Sequence, residues 1–145
     1  MPSESINEET RREWRELGFF YDRDDPCTTW LIRGSQRGLL AFGHVLREYS
    51  NDPQRQQLAE HDHFGPYMYL KIGTWSAPAI SKDWIAGTLE DLKRLSDLVE
   101  ERVLKAKVGD QLSFRNAYAP NASYELTLEM CEDDFDPAIA DVACW

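Results

Sequence analysis

No apolar stretch in this sequence approaches the ~18–20 residues that a membrane-spanning helix needs, which excludes a helical span. The first residues, MPSESINEETRREW, have neither the basic start nor the apolar run of a secretory signal. Cysteine is scarce and odd in number: Cys27, Cys131 and Cys144 offer no paired-ligand spacing and no even disulfide framework. A reduced, cytoplasmic chain is the expectation. Basic residues stop at Arg115, whereas Glu125, Glu129, Glu132, Asp133, Asp134, Asp136 and Asp141 all follow it. A formal charge of −10 argues against general nucleic-acid binding and anionic membranes, both of which need a positive surface. Internal repeats and low-complexity tracts are absent as well.

What is present suits one compact domain. With 145 residues, 42% of them hydrophobic and 29% charged, the chain can bury a core but is short for two ordinary domains. Five tryptophans, six tyrosines and six phenylalanines predict an aromatic-rich interior, with some rings left over for a binding surface. The expected organisation is a flexible leader over residues 1–10, a single domain over 11–136 and an acidic, mobile tail over 137–145.

The segments Trp14–Tyr21 and Thr28–Arg33, joined across DRDDP, read as a β-hairpin. Ser35 is placed to cap a helix from Gln36 to Tyr49, with Leu39, Phe42, Leu46 and Tyr49 at helical spacing. Gln54–His63 reads as a loop. Tyr67–Trp75 follows as a strand, with Met68, Leu70 and Ile72 inward and Tyr67, Tyr69, Lys71 and Trp75 outward. Thr88 caps a second helix whose stripe is Leu92, Leu95, Val99, Val103 and Ala106, with Gly109 as its stop. A last hairpin turns at APNAS, and Tyr124, Leu126, Leu128 and Met130 alternate with polar partners along its second arm. The order ββα-β(β)-αββ implies an α+β fold, with two amphipathic helices on one face of a mostly antiparallel sheet.

Titratable and aromatic side chains concentrate in EHDHFGPYMYLKIGTW, residues 60–75. His61 and His63 lie two apart, so both rings project to one side of an extended segment, with Glu60, Asp62 and His44 as further metal-ligand types. No second His or Cys pair completes a ligand set, so these two histidines are the only metal candidates and no cofactor is expected. There is no G-x-S-x-G elbow, and GSQRG at Gly34–Gly38 lacks the Walker Lys-Ser/Thr pair, which leaves it a helix cap. Cys131 stands among carboxylates that raise a thiol pKa. The outward rings Tyr67, Tyr69 and Trp75 are the best contact residues, because the other face of their strand already supplies core positions.

The runs GSQRGLLAF before a helix, HDHFGPYMYLKI into a strand and IAGTLEDLKRL into a second helix resemble small bacterial α+β proteins. They are also similar to immunity proteins of polymorphic toxin systems. The resemblance covers about Arg33 to Leu95 and implies a stoichiometric inhibitor of a co-encoded toxin, with no shared inhibitory residues to transfer. The expected function is a non-enzymatic protein-binding module whose acidic face meets a basic partner such as a toxin domain. Tyr67, Tyr69 and Trp75 would anchor it, with Glu129, Asp133, Asp134 and Asp136 as steering charges. The alternatives are a metal-dependent or ligand-binding enzyme centred on His61 and His63, and a homodimeric structural protein paired through the aromatic strand.

Overall fold

Two long helices form where apolar spacing and caps coincide. In the computed structural model, which describes residues 3–145, α2 (Gln36–Ser50) begins at Ser35, whose hydroxyl accepts the Gly38 N–H. The helix α3 (Leu89–Lys105) begins at Thr88 with a reciprocal capping box to Asp91, which satisfies two backbone donors at once. Leu39, Phe42 and Leu46 of α2 and Leu92, Leu95, Val99 and Val103 of α3 are fully buried, as their spacing predicts. The two helices pack closely where Gly43 faces Val99, and Ser96 Oγ donates 2.7 Å to the Gly43 carbonyl.

The fold is α+β, but its strands divide into two four-stranded sheets rather than one. The first contains β1 (Phe20–Asp24), β2 (Thr29–Gly34), β7 (Gln111–Ser113) and β8 (Glu125–Met130), in the order β1-β2-β8-β7. The second contains β3 (His61–Phe64), β4 (Leu70–Thr74), β5 (Ala79–Ile80) and β6 (Ile85–Gly87), in the order β3-β4-β6-β5. Each sheet has a parallel central pair, β2 with β8 and β4 with β6, flanked by antiparallel neighbours. Alternation along β2 and β8 places Trp30, Ile32, Leu126, Leu128 and Met130 inward, leaving Thr29, Arg33, Glu125 and Glu129 half-buried on the other side.

Aromatic donors join the sheets. Tyr21 on β1 donates its hydroxyl 2.8 Å to the Phe64 carbonyl on β3, and Trp30 on β2 donates 2.7 Å to the Ser81 carbonyl just beyond β5. Tyr118, in the short helix α4 (Arg115–Tyr118), donates 2.7 Å to the Ala86 carbonyl on β6. Each bond satisfies a polar atom that burial would otherwise penalise by about 1–3 kcal/mol.

The ends of the described chain depart from expectation. Met1 and Pro2 lie outside the described residues. From Ser3 onward the expected leader is helical: α1 (Glu4–Leu17) is capped by Ser3 and closed by Gly18 at φ +90°. Trp14 therefore belongs to a helix, and the first hairpin pairs β1 with β2 instead. The expected mobile tail forms α5 (Pro137–Ala140) and a 3-10 turn, Val142–Cys144, both packed on α1. Arg11 is the main clamp: its guanidinium donates to the Cys144 carbonyl, pairs with Glu4 at 2.7 Å and lies 4.5 Å from the Trp145 ring centre. Cys144 is buried.

Candidate functional site

The turn before β4 differs from the expected strand in a way that shapes the surface. Gly65, at φ +86°, and Pro66 start a turn closed by the Met68 N–H on the Gly65 carbonyl, and Met68 itself adopts φ +60°. The strand consequently begins at Leu70, not Tyr67, and Met68 points to solvent instead of the core. Tyr67, Met68 and Tyr69 are 42%, 56% and 67% exposed, a contiguous apolar tip.

Behind that tip lies a cleft of about 410 Å³. Its floor is aromatic and buried: Trp14 from α1, Tyr21 from β1 and Trp30 from β2. Phe20 and the two exposed tyrosines form its walls, and the backbone after α5 closes one side at Asp141. The rings are in mutual contact, with Trp14 centred 5.0 Å from Phe20 and from Tyr21 and 6.2 Å from Tyr67. Tyr67 and Tyr69 lie 6.1 Å apart. These tilted and edge-on arrangements suit the ring quadrupoles.

Asp141 organises the cleft. Its Oδ2 accepts from Trp14 Nε1 at 2.9 Å and from the Tyr67 hydroxyl at 2.5 Å, while Oδ1 accepts the Ala143 N–H. Burial raises the Tyr67 pKa above its ordinary 10.0, and the hydrogen bond to Asp141 raises it further. Burial likewise raises that of Tyr118, helped by nearby Asp91. Both phenols are thus held protonated in the folded protein and titrate first in the unfolded chain. Stability is expected to hold up to about pH 10 and to fall above it as unfolded tyrosines ionise. Melting temperatures across that range should show the decline, and Tyr118→Phe should make it shallower.

Asp22 also lines the cleft, and neither it nor Asp141 has a Lys, Arg or His partner within 4.0 Å among the described residues. Among the described residues the one cation lining the cleft, Arg23, is already committed. Its Nε lies 2.7 Å from Asp25 Oδ1, Nη2 lies 3.1 Å from Oδ2, and Nη1 donates to the Lys82 carbonyl. Its guanidinium also sits 5.8 Å from the Trp30 ring centre.

No family model matches this chain, and no curated protein or solved structure matches it significantly.

The predicted contact residues fall into four groups. Tyr67 and Tyr69 share the cleft. Trp75 lies beyond the far end of β4, separated from the two tyrosines by the whole length of that strand, about 15 Å or more at ~3.3 Å per residue. There its ring centre lies 5.7 Å from that of Trp84 with the planes tilted by 59°, and the Trp84 ring lies over Gly73, where a side chain would collide with it. Of the predicted steering charges, Asp133 and Asp134 are exposed and unpaired among the described residues. Glu129 and Asp136 are engaged in the fold. Glu129 Oε2 lies 3.2 Å from Arg33 Nε. Asp136 is held bidentately by Arg15 and caps α5 through the Ala138 N–H. Trp14 and Asp141, which build the cleft, were not singled out, although Ser3 and Gly18 bracket α1 as a cap pair.

The histidines do project together from β3, with ring centres 5.1 Å apart. Each Nδ1 sits against a backbone carbonyl, His61 on Ala59 at 2.8 Å and His63 on Met68 at 2.9 Å. The expected carboxylate neighbours are diverted, because Arg55 binds Glu60 at 3.1 Å and Asp62 at 2.8 Å. Among the described residues no group of three metal-ligating side chains forms. Cys131 has a raised pKa for which burial is the leading cause, ahead of Glu129, so this thiol is not an activated nucleophile. No described helix is long and apolar enough to cross a membrane.

Proposed function

We propose that this chain is a protein-binding module that captures a basic partner, with toxin neutralisation as its biological role. One observation carries the reading: the apolar tip Tyr67–Met68–Tyr69 stands in the open beside a cleft with two carboxylates that lack cation partners. Exposed tyrosines on a turn give large contact area at low entropic cost, which is how binding hot spots are built. The formal charge of −10 steers a cationic partner toward such a surface and rejects acidic ones. The resemblance of residues 33–95 to immunity proteins supplies the role.

The active charges in this reading are Asp22, Asp133, Asp134 and Asp141 rather than Glu129 and Asp136. The test begins with recovery of the partner from the native host and its purification. Association is then followed by stopped flow at several salt concentrations. Wild-type protein should form a one-to-one complex whose association rate falls steeply with salt. Asp133→Asn with Asp134→Asn should slow association and reduce that dependence. Tyr67→Ser with Tyr69→Ser should speed dissociation by about tenfold or more. A partner of acidic charge, or a complex indifferent to the tyrosine pair, would overturn the reading.

A further inference from the structure

We infer that the cleft between α1, β1 and the Tyr67–Tyr69 turn is the anchor pocket for an arginine side chain of the partner. The inference rests on the binding-module reading above and names the group that the pocket takes. A volume of about 410 Å³ falls within the ~300–1,000 Å³ usual for ligand pockets, and the cleft is open at its mouth.

The chemistry of the walls selects a flat cation. The floor rings have satisfied their own polar atoms: Trp14 Nε1 on Asp141, Tyr21 on Phe64 and Trp30 Nε1 on Ser81. An occupant therefore meets no unpaired donor on the floor, and the ring surface open to it is that of Phe20, Tyr67 and Tyr69. Their faces attract positive charge, and a guanidinium both stacks on them and lies flat between them. The protein makes this contact within itself, since Arg23 lies over Trp30 in the same cleft.

Charge agrees with shape. Asp25 holds Arg23, so the cleft's internal cation is neutralised before any ligand arrives. Asp22 and Asp141 remain without cationic partners among the described residues. Asp141 Oδ1 accepts one backbone N–H, and a carboxylate oxygen has room for a second donor. An arginine entering past Tyr69 would place its methylenes on Phe20 and the tyrosines and its fork toward a carboxylate. A neutral side chain of the same shape would gain the stacking and lose the charge pairing.

The test uses the isolated protein and Nα-acetyl-arginine amide, with Nα-acetyl-citrulline amide as its neutral near-isostere. The indole N–H resonances of Trp14 and Trp30 report on the cleft floor. Both are expected to shift saturably with the arginine probe, and the citrulline probe should bind about tenfold more weakly. Tyr69→Ser removes a ring that is 67% exposed and should weaken arginine binding several-fold with no change in melting temperature. Asp22→Asn should do the same, because its amide oxygen can still accept the Arg23 N–H. Equal binding of the two probes, or indole signals unmoved up to the solubility of the arginine probe, would overturn the inference. With either overturning result, a salt-sensitive complex with a basic partner would leave the module reading standing. Arginine binding without such a partner would instead sink the module reading and keep the pocket.

Discussion

Trp30→Ala is expected to lower the free energy of unfolding by about 3–5 kcal/mol, the range for removing a fully buried tryptophan. The ring is 0% exposed and sits on the inward face of β2, next to the parallel pairing with β8. Its loss empties the cleft floor and removes the donor to the Ser81 carbonyl, one of the bonds between the two sheets. Domains of this kind are stable by about 5–15 kcal/mol, so the variant would lose a large share of the total. Urea denaturation is the appropriate measurement, read as a lower midpoint with an unchanged slope. A loss below about 1 kcal/mol would mean that the sheets do not depend on this ring.

Gly65→Ala is the second large effect, and it acts on the site as well as on stability. Gly65 adopts φ +86°, where an L side chain costs about 1–2 kcal/mol. Its Cβ would also run into the Tyr21 ring, lying 2.8 Å from Cζ. Tyr21 cannot simply retreat, because it is buried, donates to Phe64 and accepts the Tyr69 N–H. Overpacking adds about 1–3 kcal/mol, for a combined loss of roughly 2–5 kcal/mol. Because the turn carries Tyr67 and Tyr69, the surviving folded fraction should also bind a partner less well. Gly109→Ala is the informative control: it shares a positive φ, +94°, but its Cβ meets nothing within 4 Å, so only the backbone cost applies.

The legible parts of this fold are those whose evidence is local. α2 and α3 announce themselves through apolar residues at helical spacing and through Ser35 and Thr88. β8 does so through strict alternation, which the structure keeps from Glu125 to Met130. α1 was hidden because ESINEETRREWREL has few apolar residues, and its buried side includes Arg11, a residue type that reads as solvent-facing. β3 was hidden because HDHF carries no apolar pattern, and its strand geometry comes from pairing with β4. The division into two sheets was illegible for a related reason: the central pairings leave no periodic trace. β2 and β8 meet across 96 residues at Thr29 and Glu125, and β4 pairs in parallel with β6 across a stretch that holds β5.

The candidate site was half legible. Tyr67 and Tyr69 emerged because polar-facing aromatics are conspicuous, although the turn that displays them depends on a positive φ at Met68 that no propensity foretells. Trp75 looked equivalent in sequence but belongs to a separate pair with Trp84. Glu129 and Asp136 looked like free charge, yet Arg33 and Arg15 approach them from distant segments. Asp141 becomes meaningful only when α1 and the turn before β4 converge on it.

The parallel pairing of β2 with β8 has a further consequence for how the molecule is made. Thr29 and Glu125 are hydrogen-bond partners 96 residues apart. The hairpin of β1 and β2 emerges early from the ribosome, but its inner edge has no mate until nearly the whole chain has followed. At ~5–20 residues per second that interval lasts several seconds or longer. During it, Trp30 and Ile32 sit beside an open strand edge of the kind that recruits the wrong chain. Closure of the first sheet is thus a late, non-local event, and maturation should be slow for a protein of this size.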